Sequence, residues 1–270
     1  MPYSVVIECY PQKTAILSPT LGEYIHASFF NILKETDAEF ATDLHNKRRF
    51  KPFTVSPLQI KVFKKNGQNM IKQGSKGWFR ITFLQDDLFG FFTKYFLEIN
   101  KDEIRLEDNT FKISAIYATN SKDNEWSGYR TYEEIYNNTY NDIEIRLEFK
   151  SPTAFKRKNI AYLFPEPRLV FGSLLKKWNK YSPYQVQNSI MDNIENDVIV
   201  SRYKLQTKAL HYRNKNKEYI VKGFVGIVDY KIRSRNEEII KTINLLSDFA
   251  IFSGVGYKTP MGMGQTRRLQ

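Results

Sequence analysis

The sequence has three histidines, His26, His45 and His211, and imidazole is the side chain whose ordinary range spans neutral pH. His45 stands in "DLHNKRRFKPF", with Lys47, Arg48, Arg49 and Lys51 within six positions. A histidine among cations suits proton transfer at an anionic centre: the imidazole moves the proton, and a lysine holds negative oxygen. The same residues also describe a solvated charge run, and their types alone do not choose. His26 lies in "LGEYIHASFFNILKE", on the flank of an apolar stripe. It fits a half-buried core histidine as well as a second acid–base group. His211, beside Tyr212 and Arg213, reads as a solvent or polyanion contact.

The second candidate is "FSGVGYKTPMGMGQTRR", with Gly254, Gly256, Gly262 and Gly264, Lys258, and the pair Arg267–Arg268. Glycine lacks the Cβ that keeps other groups off the main chain. Such a loop could press its amides against phosphate oxygens, with Lys258, Arg267 and Arg268 as counter-charges. It could equally be a set of tight turns. The first reading carries an expectation: a Cβ at Gly256 or Gly262 should harm binding more than folding. GxxxxGK[ST] is absent, so this is not a nucleotide P-loop.

The charge balance favours a polyanionic partner. Lys and Arg number 41 against 29 Asp and Glu, for a net charge of +12. Further basic groups are Lys156, Arg157 and Lys158, "KVFKK", "KIRSR", and Arg80, which alternation puts on the outward face of its strand. The single cysteine, Cys9, allows no internal disulfide and no CxxC zinc pair. The chain start does not resemble a signal peptide, and no apolar run approaches the ~18 residues of a membrane span. A cytoplasmic protein without a membrane partner is expected. Glu148 and Lys150 form a restriction-nuclease-like E-x-K, but outward strand residues look the same; no metal site is expected.

The elements that must hold these groups follow from periodicity. The first half reads strand, helix, strand, strand, helix, strand. In "GWFRITFLQ", Phe79, Ile81 and Phe83 alternate with Arg80 and Thr82. In the first helix Leu21, Ile25, Phe29 and Ile32 share a face. A second helix, aromatic-rich, should begin at an Asp86 or Asp87 cap. The polar stretch 120–129 suggests a boundary, with units 1–122 and 123–270. The second unit shows an alternating strand with Ile143, Ile145, Leu147 and Phe149 inward. A Pro-bounded helix, a long hairpin and a last helix follow. That last helix is capped by Asn236 and stopped by Gly254. The expected fold class is α+β, with two tandem βαββαβ, ferredoxin-like domains.

At the glycine loop the sequence resembles the repeat-associated (RAMP) superfamily. More narrowly, it resembles the CRISPR-associated precursor-RNA endoribonucleases (Cas six). "GEYIHASFF", "DLHNKRRFKPFTVSPL", "FKSPTAF", "LFPEPRLVFGSLLKKWN" and "GFVGIVDY" agree in order, across nearly the whole chain. The resemblance implies two ferredoxin-like domains side by side and cofactor-free, metal-independent cutting of CRISPR repeat RNA. The 2′-OH would attack, leaving a 2′,3′-cyclic phosphate, a 5′-OH and guide RNAs with a 5′ repeat handle. It implies His45 as the catalytic histidine, Lys51 as its supporting lysine and His26 as a second histidine. Phe29 and Phe30 carry no hydroxyl and Tyr24 is displaced, so a tyrosine-assisted step is not expected. Lys47, Arg48, Arg49, Lys156, Arg157, Lys158, Lys258, Arg267, Arg268 and the four loop glycines would line the RNA. A CRISPR effector complex and a second copy of the chain are further partners. The alternative is a non-cleaving RNA-binding subunit of the same superfamily.

Overall fold

The structure is a computed structural model that describes residues 1–17, 21–46, 50–99, 101–120, 124–138, 140–158, 160–214 and 217–269. The first unit runs β1 (Tyr3–Pro11), β2 (Ala15–Ile16), α1 (Leu21–Thr36), α2 (Ala38–Asn46), β3 (Phe53–Val55), β4 (Gln59–Ile60), β5 (Phe63–Lys65) and β6 (Gln68–Ile71). It continues with β7 (Gly77–Phe83), α3 (Asp86–Leu97), β8 (Glu103–Leu106) and β9 (Asn109–Tyr117). Its sheet has the order β3-β7-β1-β9-β8, and β10 (Gly128–Tyr129) adds to β1. The short α4 (Tyr132–Asn137) leads to the second unit. There β11 (Glu144–Thr153), the hairpin β12 (Phe155–Arg157) and β13 (Ile160–Tyr162), α5 (Pro167–Tyr181) and α6 (Ile190–Asp197) come first. β14 (Val198–Asn214), β15 (Lys217–Ile232), α7 (Glu237–Ser253) and β16 (Thr266–Leu269) complete it, in the sheet order β14-β15-β11-β16. Both sheets have the ferredoxin order, with the first strand of each unit between its third and fourth. The expected α+β tandem is what the chain adopts.

Each unit has its own core. Ile25, Phe29, Phe79, Ile81 and Phe83 belong to the first, and Leu147, Phe149, Leu174, Trp178 and Phe249 to the second. Around Arg80 the opposite face of the first sheet is covered. Arg80, predicted outward, is 1% exposed: one guanidinium nitrogen donates to the carbonyl of Ile251 on α7 at 2.5 Å, and the group stacks 5.0 Å from Trp126. Alternation identified the right face, but the second unit covers it. Burial pushes this guanidinium down to about 9.

Two smaller expectations change. The residue before α3 is Gln85, and Asp86 instead takes the chain's terminal ammonium at 3.0 Å. Ile143 precedes its strand and is 50% exposed. The boundary expected at 122/123 lies outside the described residues, and β10, beyond it, still pairs with the first sheet. By contrast, Asn236 caps α7 by accepting from the Glu238 amide, and Gly254 ends that helix, as its position predicted.

Candidate active site

His45 lies in the last turn of α2. Asp37 starts that helix by accepting the Phe40 amide at 2.9 Å, and Ala41 and Leu44 bury its inner face. Lys51 ends it, donating to the carbonyls of Leu44 (2.6 Å) and His45 (2.8 Å). These are carbonyls that the helix itself leaves unbonded. Lys51 therefore holds the histidine's own turn, a positioning task that proximity in sequence did not reveal.

The α1–α2 hairpin turns His45 back over His26. Phe30 separates them, its ring 4.8 Å from His26 and 5.4 Å from His45. On α1, His26, Phe30 and Lys34 recur every fourth residue, so they share a face. With Asn31, Thr42 and His45 they line a cavity of about 430 Å³. Asn31, Lys34 and Thr42 were not singled out from sequence, though the spacing of Lys34 from His26 was a legible signal. Among the described residues, no cluster of three His, Cys, Asp or Glu could hold a metal ion.

Nδ1 of His26 lies 2.8 Å from the carbonyl oxygen of Pro260, in the glycine-rich segment. A carbonyl only accepts, so Nδ1 carries the proton and Nε2 keeps its lone pair. Burial pushes this imidazole down to about 4; the Pro260 bond opposes the shift, and Lys51 and His45 add to it. His26 is thus neutral at pH 7. The lowered value also predicts a pH effect on folding. Its contribution is complete above the unfolded value near 6.5 and disappears as pH falls towards 4. The expected loss is on the order of 2–3 kcal/mol. Urea unfolding at pH 7 and pH 4.5 should show it, and His26→Gln should reduce the difference.

The glycine loop is a packed joint. The Gly254 amide bonds to Ala250, Val255 to Gly264, Tyr257 to Ala154 and Gly264 to Pro152, while Gly256 bonds to the Ser173 hydroxyl. Amides of Gly254, Gly256 and Gly264 predicted to meet phosphate are therefore already engaged. A Cβ at Gly262 would lie 2.8 Å from the Cα of Gly22 on α1. This glycine-to-glycine approach lets α1 come near enough for His26 to reach Pro260. Beneath the loop, buried Lys177 donates to the carbonyls of Ser253 (2.8 Å) and Gly254 (2.9 Å) at the end of α7. Burial pushes its ammonium down to about 7. Lys177→Met should cost about 1–3 kcal/mol in urea unfolding, because those carbonyls lose their donor.

The predicted RNA contacts are divided by the structure. Arg267 pairs with Glu125 and Glu148 (2.7 Å to the latter), and Arg268 with Asp142 and Asp248 (3.0 Å to the latter). Their charges are spent inside the protein, on an edge strand that the sequence reading did not identify. Lys258 sits over the rings of Tyr212 (4.6 Å) and Tyr219 (5.1 Å), and donates to the Tyr219 hydroxyl. Lys156, Arg157 and Lys158 are exposed just after Ala154, whose carbonyl holds the loop. His211 lies on β14 opposite Ile220, away from the cavity lining. Lys47, Arg48 and Arg49 lie outside the described residues.

With this geometry in place, the kinship is direct. Residues 1–137 match the CRISPR Cas6 N-terminal domain, and residues 147–266 match the family described as CRISPR-associated endoribonuclease Cas6. The chain belongs to the Cas6 family. A Cas6 from Streptococcus thermophilus is 26% identical over 133 residues, 48% of this chain and 53% of that protein. A Cas6 from Mycobacterium tuberculosis is 31% identical over 130 residues, 46% of this chain and 38% of that protein. The match thus spans about half the length of these curated relatives, or less. A Thermus thermophilus Cas6, solved as a product complex, superposes with a TM-score of 0.81 at 27% identity, covering 100% of both chains. The two chains thus share one fold over their matched lengths.

Proposed function

We propose that this Cas6 chain is an endoribonuclease that cuts CRISPR repeat RNA in precursor transcripts. The observation that carries the reading is one cavity shared by His45 and His26, the latter kept neutral by burial and held in one tautomer by the Pro260 carbonyl. RNA brings its own nucleophile, the 2′-OH next to the cut phosphate. His45 serves as the principal acid–base group. His26 offers an accepting nitrogen, and a bound phosphate would raise its proton affinity through its negative charge. Lys34 supplies positive charge in the cavity, and Lys51 keeps the turn of His45 in place. In-line attack yields a 2′,3′-cyclic phosphate and a 5′-OH without a metal ion, and the guide RNA keeps a 5′ repeat handle.

The test is incubation with repeat RNA in excess EDTA, followed by end-group analysis. Cleavage with cyclic-phosphate and 5′-OH ends is expected. Dependence on Mg²⁺ or Mn²⁺, or 3′-OH ends, would reject the mechanism. Tight binding with no cutting would make the chain a non-cleaving RNA-binding member of its superfamily.

A further inference from the structure

Residues 44–85 contain no Asp or Glu, so all 29 of the chain's carboxylate side chains lie elsewhere. Within this run, β5 and β6 form a small ribbon with β2, apart from the main sheet. Lys61, Lys64, Lys65, Lys72 and Lys76 are exposed there, with Lys13 beside β2. None of the six forms an ion pair among the described residues. Phe63 (41%), Val62 (41%) and Ile16 (51%) stand exposed among them.

Soluble surfaces ordinarily intersperse the two charge signs. A ribbon of like charges repels itself, and a polyanion removes that cost. Exposed aromatic surface between the cations adds a face on which an unpaired base can stack. The ribbon's root is also well placed. Leu17 donates to Asn69 (2.9 Å) and Gly74 to Pro11 (3.0 Å), so the ribbon is tied to the segment entering α1. On its other side, Pro57 adjoins Gly262 in the glycine loop. The ribbon thus springs from the joint that holds His26, while its lysines lie outside the cavity lining.

We infer that this lysine ribbon is a second RNA-binding surface, which grips single-stranded substrate beyond the cleaved phosphate. The inference rests on the endoribonuclease reading. It is tested with Lys61→Ala/Lys64→Ala/Lys65→Ala in one protein, against repeat RNA alone and repeat RNA extended on both sides by unstructured sequence. The variant should bind the extended RNA ~10-fold or more weakly at 0.1 M salt, with a salt slope lower by up to ~2. Its affinity for the bare repeat, single-turnover cleavage at saturating RNA and melting temperature should match wild type. Phe63→Ser should weaken binding of the extended RNA without changing the slope. Unchanged affinity and slope in the triple variant would overturn the ribbon's role, as would a slower cleavage step. If wild type neither binds nor cuts repeat RNA, the endoribonuclease reading itself has failed; normal wild-type cutting with an indifferent variant rejects the ribbon alone.

Discussion

His45→Ala is expected to slow single-turnover cleavage of repeat RNA by roughly 10²–10⁴-fold, about 3–5 kcal/mol of transition-state stabilisation. RNA affinity should stay near wild type, because the exposed imidazole contributes little to the fold. The same RNA with one 2′-deoxy at the cut site should resist wild-type protein altogether, since the nucleophile is missing. His26→Gln should reduce the rate less and alter its pH dependence, because it removes a neutral group tied to the loop. If His26→Gln is the severe variant and His45→Ala the mild one, the roles are reversed. Cutting of the 2′-deoxy RNA would refute 2′-OH attack. Lys51→Met should fall between them, with Lys51→Arg restoring part of the rate: its effect runs through the two carbonyls it caps.

Gly264→Val should lower folding stability by about 3 kcal/mol or more, and the melting temperature by roughly 6–12 °C. Its backbone has φ of 74°, where a β-branched residue is strained, and the new Cβ would overlap the carbonyl oxygen of Val255 and lie 2.8 Å from Thr259. Gly67→Val is the control: its φ is 75°, but nothing lies within 4 Å of the added atom. It should lose only the backbone strain, about 1 kcal/mol. Equal melting of the two variants would mean the loop is not the packed joint described. At Gly256 and Gly262, where a Cβ was expected to harm binding more than folding, the nearest neighbours are likewise the protein's own main chain: the carbonyl oxygen of Ala154 and, at 2.8 Å, the Cα of Gly22.

Much of the fold was legible because it depends on local periodicity. Alternation marked β7 and β11, a shared apolar face marked α1, and a cap and a stop glycine bounded α7. Their order then sufficed for two ferredoxin-like units. The missed elements were short or locally ambiguous. α2 buries only Ala41 and Leu44, too few apolar positions to mark a helix by periodicity. β16 carries Arg267 and Arg268, whose pattern announces charge before strand.

The candidate histidines were legible by type, and the resemblance gave them roles, but residue types cannot determine a charge's partner. Sequence alone established the basic composition, the two βαββαβ units and the glycine-rich segment, and it singled out His45 and His26 as candidates. Tertiary structure decided what each group is free to do. It brought Glu125, Glu148, Asp142 and Asp248 onto the terminal arginines, closed the second unit over Arg80, and set Pro260 against His26. The physical reason is that periodicity reports which face of an element is apolar. Desolvation, ion pairing and tautomer choice depend instead on what packs against that face, and those partners lie up to 234 positions away along the chain.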